Sequence, residues 1–408
     1  MNQINHSDDT VKPDKEETEK NQNNLRHDAV KPGKEETEKN QNNLRHDAVK
    51  PDKMDKMDIE EICKRIETRD ASAEDLARKH WMSVGKPLFS LGKLEDAIIQ
   101  IAGIKGTPDY HLAKKGLVIM CADNGVVEEG VTQTGQEVTA VVAENFTRDM
   151  ASVCLMSQVA GVHVYPVDIG IAADVPALTK SERKVAYGTR NFAKEPAMTK
   201  EEVRKAIAVG IRMVSELKEQ GYDILATGEM GIGNTTTSSA VASVLLGVRV
   251  EDITGKGAGL DSEGLKRKIG VIREAIRKYE PDPEDVIDVL SKVGGLDIAG
   301  LAGVFLGGAL YKIPVVIDGL ISSVAALCAV RITEKARDYM LPSHVSGEPG
   351  GRIILDALEL APFLTCGMFL GEGSGAVALM PLLDMALRVY REMGTFEDIQ
   401  IEKYEILN

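Results

Sequence analysis

One carboxylate stands among three glycines in Leu370-Gly371-Glu372-Gly373-Ser374-Gly375-Ala376. Glycines let a backbone approach a ligand closely and take up positive φ. A carboxylate held in such a turn, near a helix N-terminus, can be aimed into a cleft as a general base. The apolar run 363–370 leads into the motif, and a helical pattern leads away from it through Met393. Glycine-rich turns after apolar segments are common, so this motif gains weight only beside others of its kind. A second is Gly228-Glu229-Met230-Gly231-Ile232-Gly233-Asn234-Thr235-Thr236-Thr237-Ser238-Ser239, which follows a strand and opens a helix. Free backbone N–H groups, hydroxyls and the helix dipole make an anion site there. The loop lacks the lysine of a triphosphate-binding loop and the third glycine of a dinucleotide fingerprint, so one phosphate fits it better than a pyrophosphate. Lys256, Lys266 and Lys268 follow it. The βα connection 123–137 is long, as functional loops often are. The loop 343–351 carries His344, which reads equally as a general base or as a hydrogen-bonded structural histidine.

These loops need a scaffold, and the hydrophobic pattern supplies one. Short continuous apolar runs at 116–123, 162–170, 223–229 and 314–319 alternate with helical segments at 138–160, 200–220, 265–279 and 300–309. Doubly buried strands separated by helices predict an α/β fold, a parallel sheet with helices on both faces. Each of the four strands ends in or just before an acid: Asp123, Asp168, Glu229 and Asp318. The carboxyl ends of parallel strands lie on one edge, where ligands bind. Asp168 reads as a cap; the set together marks a ligand-binding edge. Ahead of the sheet, 59–65 and 73–81 read as amphipathic helices, and Ser90 or Gly92 caps a helix carrying Leu94, Ala97, Ile98 and Ile101.

The chain has 408 residues, 43% hydrophobic and 4% aromatic, with 38 glycines and a net charge of −14. Such an acidic surface repels nucleic acid and anionic lipid, so neither is an expected partner. The five cysteines form no metal-ligand spacing and mostly sit in apolar runs, so they read as buried free thiols. No secretory leader and no membrane-spanning run is evident, which predicts a cytoplasmic protein. Residues 1–55 stand apart. A unit of 19 residues beginning at Val11 recurs from Val30, and a third copy starts at Val49. Each unit has too few apolar residues to offset its ordering entropy, so a disordered tail is expected.

Taken in order, the motifs resemble one family. They are Ser90-Leu91-Gly92-x-Leu94-Glu95, Ala122-Asp123-x-Gly125-Val126-x-x-Glu129-Gly130-Val131, the Gly228 to Thr236 loop, Ser291-Lys292-Val293-Gly294-Gly295-Leu296-Asp297, Asp318-Gly319, Ser343-His344-x-Ser346-x-Glu348-x-Gly350, and the Leu370 to Ala376 loop. The chain is similar in these to nicotinate-nucleotide–dimethylbenzimidazole phosphoribosyltransferase of cobalamin biosynthesis, from about Asp75 to Phe396. The resemblance implies a homodimer with a Rossmann-like large domain and a small helical domain formed from both chain ends. On that scheme 1–55 is the tail, 56–115 the N-terminal part of the small domain, 116–362 the α/β domain, and 363–408 the glutamate loop and C-terminal helical part.

The implied reaction moves phosphoribose from nicotinate mononucleotide to a benzimidazole-type base, releasing nicotinate and giving α-ribazole 5'-phosphate, with no metal and no separate cofactor. Glu372 takes the place of the family's general base, with Glu229 in support. Gly231, Gly233, Asn234, Thr235, Lys268 and Ser346 fall to the nucleotide and its phosphate, and Thr134, Gln136 and Leu370 to the base pocket. The chain departs from the family at Asn124, where histidine is common, at Thr132 to Gln136, and at Leu88-Phe89, where Pro-Gly is usual. The altered loop leaves the acceptor open among benzimidazoles, purines and phenols. Two other readings fit the scaffold: an NAD-dependent enzyme, against which the incomplete glycine fingerprint counts, and a non-catalytic nucleotide- or base-binding protein.

Overall fold

The computed structural model describes residues 58–178 and 181–404; the repeated tail lies outside them. Five parallel strands make one sheet: β1 (Lys115–Ala122), β2 (Val162–Gly170), β3 (Ile224–Met230), β4 (Val315–Ile317) and β5 (Met340–Pro342). Their order is β2-β1-β3-β4-β5. The chain leaves β1 for one side, then crosses back to lay β3 on the other. This reversal between β1 and β3 opens a crevice at the carboxyl ends, the place where doubly wound sheets bind ligands.

Alternation along β1 assigns the two layers. Leu117, Ile119 and Cys121 join a core with Trp81, Ile98, Phe146, Val153, Val377 and Tyr390. Met120 on the opposite face touches Gly300, as does Ile169 of β2. The first layer holds α2 (Ala71–Trp81), α3 (Lys93–Lys105), α4 (Glu137–Thr147), α5 (Ser152–Ala160) and the C-terminal helix Ser374–Glu392. A shorter helix, α1 (Ile59–Arg65), precedes them. The second layer is led by α6 (Lys200–Glu219), opened by a capping box of Thr199 and Glu202, and by the helix Leu296–Tyr311. Gly92 rather than Ser90 caps α3. The expected helix over 138–160 is two helices. The chain turns at 148–151, where Asp149 has φ 56.

The helices after β3, β4 and β5 are α7 (Asn234–Leu246), α8 (Val250–Ile253), α9 (Ser262–Tyr279), α10 (Val286–Val293), α11 (Leu296–Tyr311), α12 (Leu320–Ile332), α13 (Gly350–Ala357) and α14 (Ser374–Glu392). The two ends of the described chain meet. The Trp81 and Tyr390 rings pack edge to face at 5.1 Å, His80 Nε2 donates to the Tyr390 carbonyl at 2.6 Å, and the Phe396 N–H donates to the Ser83 carbonyl at 2.9 Å. No helix among the described residues is long and apolar enough to cross a membrane. Cys121, Cys154 and Cys328 are buried, but Cys366 is exposed on the loop before α14, where an apolar run had suggested burial.

α6 and α11 cross with their backbones nearly touching. A Cβ at position 210 would lie 2.0 Å from the Gly300 carbonyl oxygen, and one at 303 would lie 2.0 Å from that of Ile207. Glycine in a helix costs stability by propensity, roughly 1 kcal/mol against alanine, so only the close crossing accounts for it here. Gly210→Ala is therefore expected to lower unfolding free energy by about 3 kcal/mol, the upper end of ordinary overpacking, although it favours the isolated helix. A urea midpoint equal to or above that of the parent would refute the tight crossing.

Candidate active site

The cleft is built from strand ends and the glutamate loop. β3 carries Thr227, Gly228 and Glu229 to the carboxyl edge of the sheet. The loop 370–373 lies directly on it. A Cβ at Gly228 would sit 2.5 Å from the Glu372 carbonyl oxygen, and one at Gly373 would meet Leu117. Asp318, just past β4, holds this loop in place. Its carboxylate accepts N–H bonds from Gly373 (3.1 Å), Gly375 (2.7 Å) and Ala376 (3.1 Å). An acid on the first-turn N–H groups of α14 satisfies donors the helix cannot, and it complements the helix dipole. Held so, Glu372 has φ 62, in the left-handed region that non-glycine residues rarely occupy. Strain of this kind concentrates at functional sites.

The Glu372 side chain is half-buried and lines a cleft of about 200 Å³. Its Oε2 accepts from the Val153 N–H at 3.4 Å, at the N-terminus of α5. Burial raises the carboxyl above its ordinary range and the nearby Asp318 adds to this, while the Val153 N–H opposes them. The result is a better base than a solvated glutamate.

Glu229, Gly231, Asn234, Thr235, Ser346 and Leu370 line the same cleft. Gly233 does not. It caps α7 at φ 96 and faces Val127 and Asn124. Lys268, on the inner face of α9, is wholly buried just behind Thr235. Its Nζ donates to Thr235 Oγ1 (2.8 Å) and to the Gly255 carbonyl (3.1 Å). Burial lowers its pKa to about 8, with Glu348 pulling the other way. Its third N–H donor has no acceptor shown among the described residues.

Thr134 is exposed and Gln136 half-buried, on a loop that meets the cleft only through a neighbour. Gln133 Nε2 donates to the Gly259 carbonyl, and Arg267 Nε donates to that of Gly130 at 3.0 Å. Gly257 and Ala258, next in the chain to Gly259, do line the cleft. His344 also lines it, buried, with Nδ1 3.0 Å from Ser343 Oγ and its ring against Gly375. Asp168 turns away from the cleft: it accepts from the Ile171 N–H at 2.9 Å and pairs with Lys184 at 3.1 Å. Asp123 tethers the loop after β2 through the Ala172 N–H at 2.8 Å.

Three acids gain roles that residue order alone did not disclose. Asp318 seats the glutamate loop, Glu348 lines the cleft near Lys268, and Asp297 lies buried behind Gly231. All three fall inside motifs quoted above, and that was the available signal.

A glycine loop, a buried lysine and a seated glutamate on the carboxyl edge of a parallel sheet equip a transferase that handles a phosphorylated substrate. The family model described as phosphoribosyltransferase matches residues 66–401. The nicotinate-nucleotide–dimethylbenzimidazole phosphoribosyltransferase of Ruminiclostridium cellulolyticum is 48% identical over 351 residues, 86% of this chain and 100% of that one. The protein of the same name from Acetivibrio thermocellus is 49% identical over 331 residues, 81% of this chain and 94% of its own. The solved structure of CobT from Thermus thermophilus is similar with a TM-score of 0.78 at 36% identity, covering 82% of this chain and 100% of that one. The chain belongs to the nicotinate-nucleotide–dimethylbenzimidazole phosphoribosyltransferase family.

Proposed function

We propose that this enzyme transfers the phosphoribosyl group of nicotinate mononucleotide to dimethylbenzimidazole or a related lower-ligand base, giving α-ribazole 5'-phosphate and nicotinate. The observation that carries the reading is the seating of Glu372. Gly228 and Asp318 hold the loop so that its carboxylate stands in the cleft that also receives Thr235 and Ser346. A ring nitrogen of the base attacks the anomeric carbon, inverting it. The base loses one N–H proton to Glu372 as the new bond forms. The old C–N bond breaks with its electron pair going to nicotinate, whose pyridinium nitrogen becomes neutral. No proton is needed by that leaving group, so electrostatic support is enough.

The phosphate is assigned to Gly231, Asn234, Thr235 and Ser346, with Lys268 behind them. The apolar wall of Leu320, Ile321, Phe369 and Leu370 suits a flat aromatic base. The purified chain, given nicotinate mononucleotide and dimethylbenzimidazole, should release nicotinate and α-ribazole phosphate in equal amounts, read by chromatography. Failure to form either product with a panel of benzimidazoles, purines and phenols would overturn the reading.

A further inference from the structure

The mechanism above leaves the buried carboxyls of Glu229 and Asp297 unused. Asp297, in the first turn of α11, is wholly buried. Its Oδ1 accepts the Ile298 N–H at 2.9 Å, and its Oδ2 has no hydrogen-bond partner among the described residues. Gly231 separates it from the cleft: a Cβ there would lie 3.0 Å from Oδ2. The Asn234 side-chain amide, on the cleft side of Gly231, donates to Glu229 Oε2. The other oxygen of Glu229, Oε1, turns to the glutamate loop, 2.5 Å from where a Gly371 Cβ would stand.

The largest charges acting on Glu229 are acidic: Asp297 from α11, Asp318 from the end of β4 and Glu372 from the loop before α14. Lys268 is engaged elsewhere, on Thr235 and Gly255, and the His344 ring lies against Gly375. The amide that donates to Glu229 is neutral and cannot offset its charge. Burial first, then Asp297 and Asp318, push Glu229 up to about 8; burial pushes Asp297 up to about 7. An ionised glutamate can only accept hydrogen bonds, whereas the neutral acid can donate one. The substrate proposed above is anionic at both its carboxylate and its phosphate. It enters a cleft already lined by Glu229, Glu348 and Glu372.

We infer that Glu229 meets the nucleotide as a neutral carboxylic acid, donating a hydrogen bond from Oε1 to a substrate oxygen, and that Asp297, buried behind Gly231, is the positioning residue whose charge keeps the proton there. This rests on the phosphoribosyl-transfer reading.

The test is calorimetric titration of the full chain with nicotinate mononucleotide between about pH 6 and pH 9.5. Lys268 also loses its proton in this range, so the readout is a ratio in which its effect cancels. Glu229→Gln is a permanently neutral donor. The parent and this variant should bind equally at about pH 6, and the parent should fall behind by about tenfold one unit above the Glu229 midpoint, as loss of one required proton demands. Asp297→Asn removes the repelling charge, so Glu229 ionises earlier. That variant should bind several-fold more weakly than the parent near pH 7.5, and adding Glu229→Gln should restore it. A parent-to-Gln ratio that stays flat with pH, or a Gln variant weaker at every pH, overturns the inference; should Asp297→Asn fail to fold, that ratio alone decides. A parent that binds no nucleotide at any pH overturns the transferase reading instead.

Discussion

Replacing Glu372 by glutamine is expected to lower kcat by about 10²- to 10⁴-fold, the span of a general base, with nicotinate mononucleotide affinity almost unchanged. The amide fills the same space and keeps an oxygen to accept the Val153 N–H, so the loop on Gly228 and Asp318 stays seated. What is lost is the ability to take a proton. The parent itself should show the same dependence on pH. Because burial holds the Glu372 carboxyl above its usual range, the rate should fall on acidification at a pH higher than a solvated glutamate would give. That acid limb should be absent from the variant's residual rate. A variant retaining the parent's turnover would remove Glu372 from the proton transfer and leave the loop a purely structural part.

Much of this site was legible in the chain, for a definite reason. Strands buried on both faces are written as unbroken apolar runs, so β1 to β4 and the edge they share could be read directly. Helices with one wet face, such as α6 and α9, carry the 3.6-residue period and were equally plain. α12 was not read, because it is buried almost throughout and has no polar face to mark it. β5 is three residues long, too short to show a pattern. The break between α4 and α5 has no proline or glycine at 148–151 to mark it. That break matters, since the N-terminus of α5 it creates is what Glu372 touches.

The roles of the acids divide in the same way. Glu229 and Glu372 could be proposed from their glycine surroundings. Asp318 stood in view at a strand end, but its work is done on N–H groups 55 to 58 residues away. No local pattern encodes such a contact. Asp297 is further hidden, because Gly231 stands between it and the cleft. The loop 132–136, singled out for its departures from the family, reaches the cleft at second hand, through Gln133 on Gly259. Base preference is then to be sought as much in Phe369 and Leu370, exposed at the cleft, as in that loop.

Lys268→Met should raise KM for nicotinate mononucleotide by about 10- to 150-fold, the worth of one hydrogen bond to a charged group, and change kcat far less. An ammonium removed from water is costly unless it is paired, yet Lys268 meets a hydroxyl, a carbonyl and the more distant Glu348. Its low pKa, about 8, records that shortfall. A phosphate reached by the remaining N–H would make it up, so the cost carried by the empty site becomes affinity for the nucleotide. Methionine keeps the length of the stem without the charge. The same titration gives a second check. Lys268 is cationic below about pH 8 and loses its proton above it, so parent affinity should fall on that account as pH rises. This step should persist in Glu229→Gln, where the glutamate no longer titrates, and vanish when Lys268→Met is added. An unchanged KM, or an alkaline step surviving in the double variant, would move the phosphate away from Lys268 and leave the first turn of α7 to hold it alone.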